Sequence, residues 1–262
     1  MVLLVLKKRI IGVVNVKDGI AVQSFGFNKY LPLGKPECFV ENLDRWGADE
    51  ILLNVMDLSS KGLGPNLALL EKVANLGIET PLIYSGGISS IKDGKDIIQT
   101  GADRICVTRL LHENPNAVVQ LSELIGLQGV LGAMPLGIND KGLYWYNYLT
   151  KKLTYFKNLS EVVNTSSISE LIIIDFKSEG YKNSFNETLL SVLKSEKIPL
   201  LLFGGISEAI QINRIIKKKN INAVCIGNSL NYKESKLQYL KKNIKSYKLR
   251  DPVYKEEGKI NV

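Results

Sequence analysis

Histidine and cysteine are scarce in this sequence, and their scarcity excludes several kinds of site. The chain of 262 residues has one histidine, His112, and three cysteines, at positions 38, 106 and 225. With a single histidine the sequence indicates neither a Ser-His-Asp triad nor a zinc site, so no metal site is predicted. Three irregularly spaced cysteines do not make a disulfide framework, and we expect Cys106 and Cys225 to lie in the core.

Long apolar runs are also missing. No segment approaches the roughly 20 apolar residues that a membrane-spanning helix needs, and the apolar stretch before Lys7 is too short for a signal peptide. The G-x-G-x-x-G fingerprint of dinucleotide-binding folds is absent after the first predicted strand. We therefore expect a cytoplasmic protein with no membrane partner, and we expect no cofactor.

Positive charge is in excess, with a net charge of +8. Much of the excess lies in Lys217–Lys219 and in Lys233–Arg250, and the second segment has the apolar spacing of a final amphipathic helix. No nucleic-acid-binding motif accompanies these lysines. We interpret them as a solvated helix face and predict no nucleic-acid partner.

What the sequence does contain is a repeat of itself. Pro81–Ser89 reads PLIYSGGIS, and 118 positions later Pro199–Ser207 reads PLLLFGGIS. Two more pairs of segments follow at nearly the same offset: Gly101–Leu111 with Ile221–Asn231, and Ala48–Asp57 with Ile168–Asp175. Three pairs of similar segments in the same order indicate an internal duplication. We predict one domain over residues 1–262, made of half-barrels at about 1–125 and 126–250, with a polar tail at 251–262.

Short β-branched runs alternate with helical patterns along both halves. Eight such units, including a predicted helix at Leu159–Asn164, favour parallel βαβ connections, and a twofold repeat of four units favours closure. The predicted fold is a (β/α)8 TIM barrel built from two duplicated half-barrels. One segment departs from this pattern: Gly142–Phe156 alternates aromatic residues at period two, which predicts a β-hairpin after the fifth strand.

Sites on such barrels lie at the carboxyl ends of the strands. Gly-Gly after the third and seventh strands would allow a ligand to approach the backbone, and two such corners would suit two phosphates. The predicted phosphate-binding residues are Gly86, Gly87, Thr108, Arg109, Gly180, Gly204, Gly205, Gly227 and Asn228. The alternative, that these glycines only turn the chain from strand to helix, remains open.

Four motifs together resemble one family. KKRIIGVVNVKDG near the start, SGGI, GADRICVTRLLHENP and FGGIS are similar to the cyclase subunit of imidazole-glycerol-phosphate synthase, and the likeness covers nearly the whole chain. The resemblance implies a glutaminase subunit that docks on the amino-terminal face of the barrel. It also implies ammonia that passes through the barrel to a bisphosphorylated ribulosyl substrate at the opposite face.

The sequence departs from that family at the catalytic end. The family's two aspartates, after the first and fifth strands, correspond to Asn15 and Pro135, and neither side chain can do acid–base work near neutral pH. Phe203 replaces a small hydroxyl residue at the second phosphate corner. Asp57 and Asp175 are the only carboxylates that this interpretation places near the rim as substitutes.

The opposite end of the barrel keeps the family's pattern. The resemblance implies an ammonia gate of four charges at strand starts, and these correspond to Arg9, Glu50, Arg104 and Glu170. A structural cluster of ion pairs is the alternative explanation for such charges.

Altered residues at the catalytic end, combined with unaltered gate residues at the opposite end, make the sequence resemble a divergent branch of the family. That branch converts a sugar N-acetyl group to an acetamidino group in surface-polysaccharide synthesis. Phe27–Pro36, FNKYLPLGKP, is similar to a sequence segment found in that branch. The likeness implies a glutaminase and an ATP-dependent sugar amidotransferase as partners, and it leaves a phosphorylated or nucleotide-linked sugar open as a ligand. Two alternatives remain: an active cyclase of histidine biosynthesis, and a sugar-phosphate-binding barrel without a channel.

Overall fold

Eight parallel strands close on one another into a barrel, which confirms the predicted (β/α)8 fold. The computed structural model describes residues 7–232, 235–246 and 249–250, so the apolar stretch before Lys7 and the predicted polar tail at 251–262 lie outside the described residues. The barrel strands are β1 (Arg9–Lys17), β4 (Glu50–Val55), β5 (Leu82–Ser85), β6 (Arg104–Val107), β7 (Val130–Asn139), β10 (Glu170–Asp175), β11 (Leu200–Phe203) and β12 (Ile221–Ile226). They pair in that order, and β12 returns to pair with β1, where Arg9 lies opposite Ala223.

Helices cover the outside of the barrel. They are α1 (Pro36–Arg45), α2 (Leu67–Ala74), α3 (Ile91–Thr100), α4 (Leu110–Glu113), α5 (Pro115–Ile125), α6 (Thr188–Val192), α7 (Ala209–Ile215) and α8 (Lys236–Asn243). Their starts follow local chemistry. Ser90 and Asp93 form a capping box at α3, and Asn66 and Asn114 cap α2 and α5 through side-chain oxygens.

The predicted helix at Leu159–Asn164 is wrong. Two 3₁₀ turns, Leu159–Glu161 and Thr165–Ser167, stand in its place. The Asn164 side chain accepts a hydrogen bond from the Ser166 backbone N–H, and such local bonds compete with helix formation. Two β-branched residues, Val162 and Val163, precede it and also disfavour a helix. Between β7 and β10 the barrel is therefore covered by turns and a hairpin.

Two antiparallel extensions rise from the carboxyl-terminal face. After β1 the chain continues into β2 (Ile20–Phe25) and β3 (Lys29–Gly34). After β7 it continues into β8 (Gly142–Tyr146) and β9 (Leu153–Tyr155), which confirms the predicted hairpin in that segment. The two extensions follow corresponding strands of the two halves, and both overhang the mouth of the barrel.

Two apolar clusters hold the fold together. The larger lies between the strands and the helices, and it includes Leu237, Leu240 and Ile244 of the final helical segment, as its apolar spacing predicts. The smaller takes residues from all eight barrel strands, including Cys106 and Cys225, and therefore fills the barrel interior. Side chains alternate along each strand, so every second residue points into the barrel. The apolar layer that these residues form lies between the residues at the two ends of the barrel.

A buried ion pair fixes the last helix to the amino-terminal end of the barrel. The Lys241 Nζ atom lies 2.8 Å from Asp49 Oδ1, and both side chains are almost completely buried. The second oxygen of Asp49 accepts the backbone N–H of Ile10 at 2.7 Å. In the part of the chain that the structure describes, no helix is long and apolar enough to cross a membrane.

Candidate functional site

Four charged side chains form a closed ring at the amino-terminal end of the barrel. Arg9 and Glu50 begin β1 and β4, and Arg104 and Glu170 begin β6 and β10. Arg9 contacts both carboxylates, at 2.7 Å from Glu50 and closely at Glu170. Arg104 does the same, at 3.3 Å from Glu50 and 2.9 Å from Glu170. All four predicted gate residues therefore lie in one ion-pair network.

The hydrogen-bond acceptors of the ring are not all satisfied. Both arginines bond Oε1 of Glu50, while its Oε2 is buried with no hydrogen-bond partner among the described residues. Burial accordingly raises the pKa of Glu50 despite the two guanidinium groups. Burial alone would lower the pKa of Arg9, but Glu50 and Glu170 outweigh it and raise that pKa. Glu50 is thus the member of the ring that is short of partners.

The barrel interior above the ring is apolar. Burial raises the pKa of the Cys106 thiol to about 12 and that of Cys225 well above its ordinary value, so both thiols stay protonated at neutral pH. The other members of the interior cluster are aliphatic or aromatic. This layer therefore offers no charged group to a small molecule that enters from the ring.

Asn15 lies at the carboxyl-terminal mouth, buried among polar side chains. Its Oδ1 accepts a hydrogen bond from Asn54 Nδ2 at 2.9 Å, and its Nδ2 lies 3.5 Å from Glu179 Oε1. Pro135, on β7 opposite Ile174, lines the mouth and contributes no polar side-chain atom. Neither position supplies a carboxylate.

Glu179 does place a carboxylate at the mouth, and the expectation that Asp57 and Asp175 are the only ones near the rim is wrong. Its Oε2 accepts hydrogen bonds from Ser24 Oγ at 2.8 Å and from the Phe27 backbone N–H at 3.2 Å. The side chain is almost fully buried, and burial raises its pKa. Sequence reasoning missed Glu179 because it lies in a loop without periodic pattern and meets partners that are distant in sequence.

Asp57 and Asp175 are in different situations. Asp57 lines the mouth, where its Oδ2 bonds Lys61 Nζ at 2.5 Å and accepts the Asp18 backbone N–H at 3.2 Å. Its Oδ1 is buried without a hydrogen-bond partner among the described residues. Asp175 accepts backbone N–H groups from Asn186 at 2.8 Å and from Ser178 at 3.4 Å. Both oxygens of Asp175 are thus used to hold the loop that follows β10.

The first glycine corner lies in a large cavity. Gly86, Gly87, Thr108 and Arg109 line a space of about 480 Å³ at the mouth. The hydroxyl of Ser59 accepts the Gly87 backbone N–H at 3.3 Å within this corner. The structure therefore brings together the predicted phosphate-binding residues of the first half.

The second corner is filled. In the second half, the predicted phosphate-binding residues and Phe203 surround a void of only about 20 Å³. The predicted residues there are Gly180, Gly204, Gly205, Gly227 and Asn228. Phe203 packs edge-to-face on Phe27, with ring centroids 6.3 Å apart. The Asn228 amide bonds both backbone groups of Ser24, at 2.7 and 3.2 Å. The side chains at this corner are engaged with the first extension of the chain.

The glycines themselves pack against backbone in both halves. A Cβ atom on Gly86 would lie 2.1 Å from the Val55 carbonyl oxygen, and one on Gly204 would lie 2.4 Å from the Asp175 carbonyl oxygen. Both glycines have positive φ, +124° and +103°. The two corners thus share one backbone conformation and one reason to need glycine, and they differ in the space left for a ligand.

Fold and site together define a class of protein: a (β/α)8 barrel with an ion-pair ring at one end, an apolar interior, and one open glycine-lined cavity at the other end. Residues 9–236 match the sequence model of a family described as histidine biosynthesis protein. This match takes in all eight barrel strands and the four ring residues. The chain belongs to that family.

Three relatives of the chain carry the same name. The chain is 25% identical to the imidazole glycerol phosphate synthase subunit HisF of Methanococcus vannielii over an alignment of 263 positions, which covers 91% of this chain and 96% of the relative. It is 26% identical to the subunit of the same name from Bacillus subtilis over 246 residues, covering 92% and 97%. A third such subunit, from Natranaerobius thermophilus, is 26% identical over 239 residues, covering 90% and 95%.

Proposed function

We propose that this chain is the ammonia-conducting barrel of a glutamine-dependent amidation complex and has no cyclase activity of its own. The observation that carries the proposal is the contrast between its two ends. The ring of Arg9, Glu50, Arg104 and Glu170 is complete, whereas Asn15 and Pro135 supply no acid or base at the mouth. The filled second corner also opposes a substrate that carries a phosphate at each end.

The ring and the interior suit neutral ammonia. An ammonium ion would lose its hydration in the apolar interior without gaining a partner there, and such transfer of an unpaired charge is strongly unfavourable. Ammonia carries no charge and has N–H groups to donate. Glu50 Oε2, buried without a hydrogen-bond partner among the described residues, is an acceptor at the entrance. A glutaminase subunit docked on this face is the source of ammonia that the proposal requires.

The acceptor we propose is the N-acetyl group of a sugar, which an ATP-dependent amidotransferase would convert to an acetamidino group. ATP would activate the amide oxygen, which leaves with phosphate, and the ammonia nitrogen would take its place. Support comes from the likeness of Phe27–Pro36 to proteins of that branch. Most of this segment forms the β3 strand of the first extension, which overhangs the mouth where ammonia would leave.

A second candidate is an active cyclase of histidine biosynthesis. The names of the relatives favour it, as does the Glu179 carboxylate 3.5 Å from Asn15. A general base needs to lie within reach of the proton it takes, and Glu179 reaches the position of the missing aspartate. Against this candidate, the carboxylate is buried and both of its oxygens contact protein donors.

One experiment separates the two. The purified chain is incubated with the bisphosphorylated ribulosyl substrate and excess ammonium at alkaline pH, so that free ammonia bypasses both glutaminase and channel. We expect no turnover by chain that circular dichroism shows to be folded. Turnover near an ordinary enzymatic rate, on the order of 10 s⁻¹, would establish the cyclase instead. The positive test adds glutaminase, amidotransferase, ATP and sugar, and follows by mass spectrometry the exchange of the acetyl oxygen for nitrogen.

A further inference from the structure

Three segments that surround the mouth carry an unbalanced charge. They are residues 18–35, 140–158 and 176–186, which follow β1, β7 and β10, and we call them together the crown. Because each follows the carboxyl end of a barrel strand, all three lie on the carboxyl-terminal face. Eight exposed lysines of the crown form no ion pair among the described residues: Lys29, Lys35, Lys141, Lys151, Lys152, Lys157, Lys177 and Lys182.

The crown has few carboxylates to balance these lysines. Its acidic residues are Asp18, Asp140 and Glu179. Asp18 is already paired with Lys17 and Lys61, which lie outside the crown. Glu179 is buried, and its carboxylate is bonded within the crown. Asp140 is therefore the one exposed carboxylate of these segments that has no ion-pair partner among the described residues.

The unpaired charge lies around the cavity and not inside it. Three cationic side chains line the cavity, from Lys17, Arg109 and Lys151. Lys17 is paired with Asp18, and Arg109 is paired with Glu113. Of the three, Lys151 alone belongs to the crown. The positive surface thus faces outward from the end of the barrel, where a macromolecule could contact it.

Apolar side chains are exposed among the lysines. Leu31 is 44% exposed, Leu153 42%, Tyr155 41% and Tyr181 54%. Leu31 lies on β3 and the next two on β9, and among the described strands β3 pairs only with β2 and β9 only with β8. Exposed aromatic and aliphatic residues within a polar surface are typical of protein–protein interfaces.

Protection of the strand edges does not account for the whole charge. Lysines beside an open edge prevent unwanted strand pairing, which would explain Lys29 on β3 and Lys151 and Lys152 before β9. It does not explain Lys177 and Lys182, because they lie in the loop after β10, which contains no strand. All three segments are basic whether or not they form an edge.

We propose that the crown is the docking surface for the ATP-dependent amidotransferase, and that this partner presents an acidic surface with apolar side chains at its centre. Most ammonia released into water at neutral pH is protonated to ammonium, which has no lone pair for attack. An enzyme that uses ammonia from the mouth must therefore cover it. Opposite charges on the two proteins would speed and orient that docking. The inference rests on the proposed function for the identity of the partner.

Charge reversal on opposite faces of the barrel tests the proposal. Calorimetric titration of the isolated chain with the amidotransferase, without glutaminase, measures docking alone. Lys177→Glu combined with Lys182→Glu should weaken binding about ten-fold or more at low salt. Lys217→Glu combined with Lys219→Glu is the matched control, because these exposed lysines lie between α7 and β12 at the amino-terminal face. The control should bind within about two-fold of the unaltered chain. Equal weakening by both pairs would mean that only overall charge attracts the partner, which contradicts a docking surface.

The apolar contact is tested by two exposed leucines. Leu153 lies on β9 in the crown, and Leu124 lies at the end of α5 near the amino-terminal face. Leu153→Ser should weaken binding about five-fold, because the partner would no longer bury that side chain, and Leu124→Ser should leave binding unchanged. Unaltered binding by Leu153→Ser would overturn the apolar centre of the interface.

Failure of the docking surface and failure of the proposed function give different results. If the unaltered chain does not bind the amidotransferase even with glutaminase present, both proposals are wrong. If it binds and the crown variants bind equally well, only the docking surface is wrong. Phosphatidylglycerol vesicles and a single-stranded oligonucleotide are the comparison ligands. Tighter binding of either than of the amidotransferase would assign the lysines to a membrane or a nucleic acid and overturn the proposal.

Discussion

The carboxylate of Glu179 and the amide of Asn15 lie 3.5 Å apart across the mouth of the barrel. Their positions are 164 residues apart in the chain. The contact puts a buried acidic group beside the amide that the resemblance places at the family's first aspartate position. The same carboxylate bonds Ser24 and Phe27, and so it ties the first extension to the loop after β10.

Glu179 should make the protein less stable as pH rises. Burial raises its pKa in the folded state above the ordinary 4.5, so the unfolded chain loses this proton first. Its contribution to the free energy of unfolding is full below pH 4.5 and falls as pH rises through the folded pKa. Glu179→Gln removes this titration. Urea unfolding of both proteins from pH 4.5 to 7.5 should show a smaller decline in the variant, and parallel curves would contradict the prediction.

Titration of His112 should have the opposite effect, making the protein less stable as pH falls. It stacks on Trp145 with ring centroids 3.5 Å apart, and burial lowers its pKa to about 4. Between pH 6.5 and 4 the unfolded chain binds a proton that the folded chain does not, so stability falls with falling pH. The slope from this group approaches about 1.4 kcal/mol per pH unit. His112→Phe keeps a stacked ring and should flatten this limb, as measured by urea unfolding followed through tryptophan fluorescence. An unchanged limb would mean that His112 is protonated in the folded protein.

Arg104→Ala should destabilise the ring. Glu50 and Glu170 would keep only Arg9, and removing one partner of a buried ion pair costs about 3 kcal/mol. Arg214→Ala is the matched control, because Arg214 is exposed and pairs with Glu187 at the surface, where such a pair contributes little to the free energy of unfolding. Thermal unfolding measures both. In the assembled complex we also expect Arg104→Ala to uncouple glutamine hydrolysis from amidation, and normal coupling would show that the ring is not a gate.

Gly86→Ala should be far more harmful than Gly142→Ala. Both glycines have φ near +120°, so both substitutions bear a backbone cost of about 1–3 kcal/mol. Only Gly86 would also drive its Cβ to 2.1 Å from the Val55 carbonyl oxygen, whereas nothing lies within 4 Å of a Cβ on Gly142. We expect Gly142→Ala to fold with a modest loss in denaturant midpoint and Gly86→Ala to fold poorly. Similar losses would mean that φ alone requires glycine at the corner.

The fold could be predicted because its signals are local or periodic. Pro81–Ser89 and its echo carry strand, turn and glycine corner within nine residues, and the structure gives Gly86 and Gly204 the same conformation. The ring could be identified through the family resemblance, which implies four charges at strand starts. The segment at 159–167 could not, because asparagine and serine side chains there bond their own backbone in place of a helix.

The mouth was harder to predict than the ring. Glu179 and the Asn228–Ser24 pair depend on loops from the two halves meeting, and no spacing in the sequence encodes those meetings. Phe203 could be identified as a departure through the family resemblance, which implies a small hydroxyl residue directly before Gly204-Gly205. How far it fills the corner depends on Phe27, which comes from the other half of the chain.

The pairing of β12 with β1 has a consequence for synthesis on the ribosome. β1 is made first and β12 last among the barrel strands, so β1 keeps one unpaired edge until almost the whole barrel has been translated. The emerging first half also carries Arg9, Glu50 and Arg104 without Glu170, an unbalanced set that gains its fourth charge only when β10 appears. The outer edge of β1 therefore stays open to other strand partners until β12 has been made, and the barrel can close only after that point.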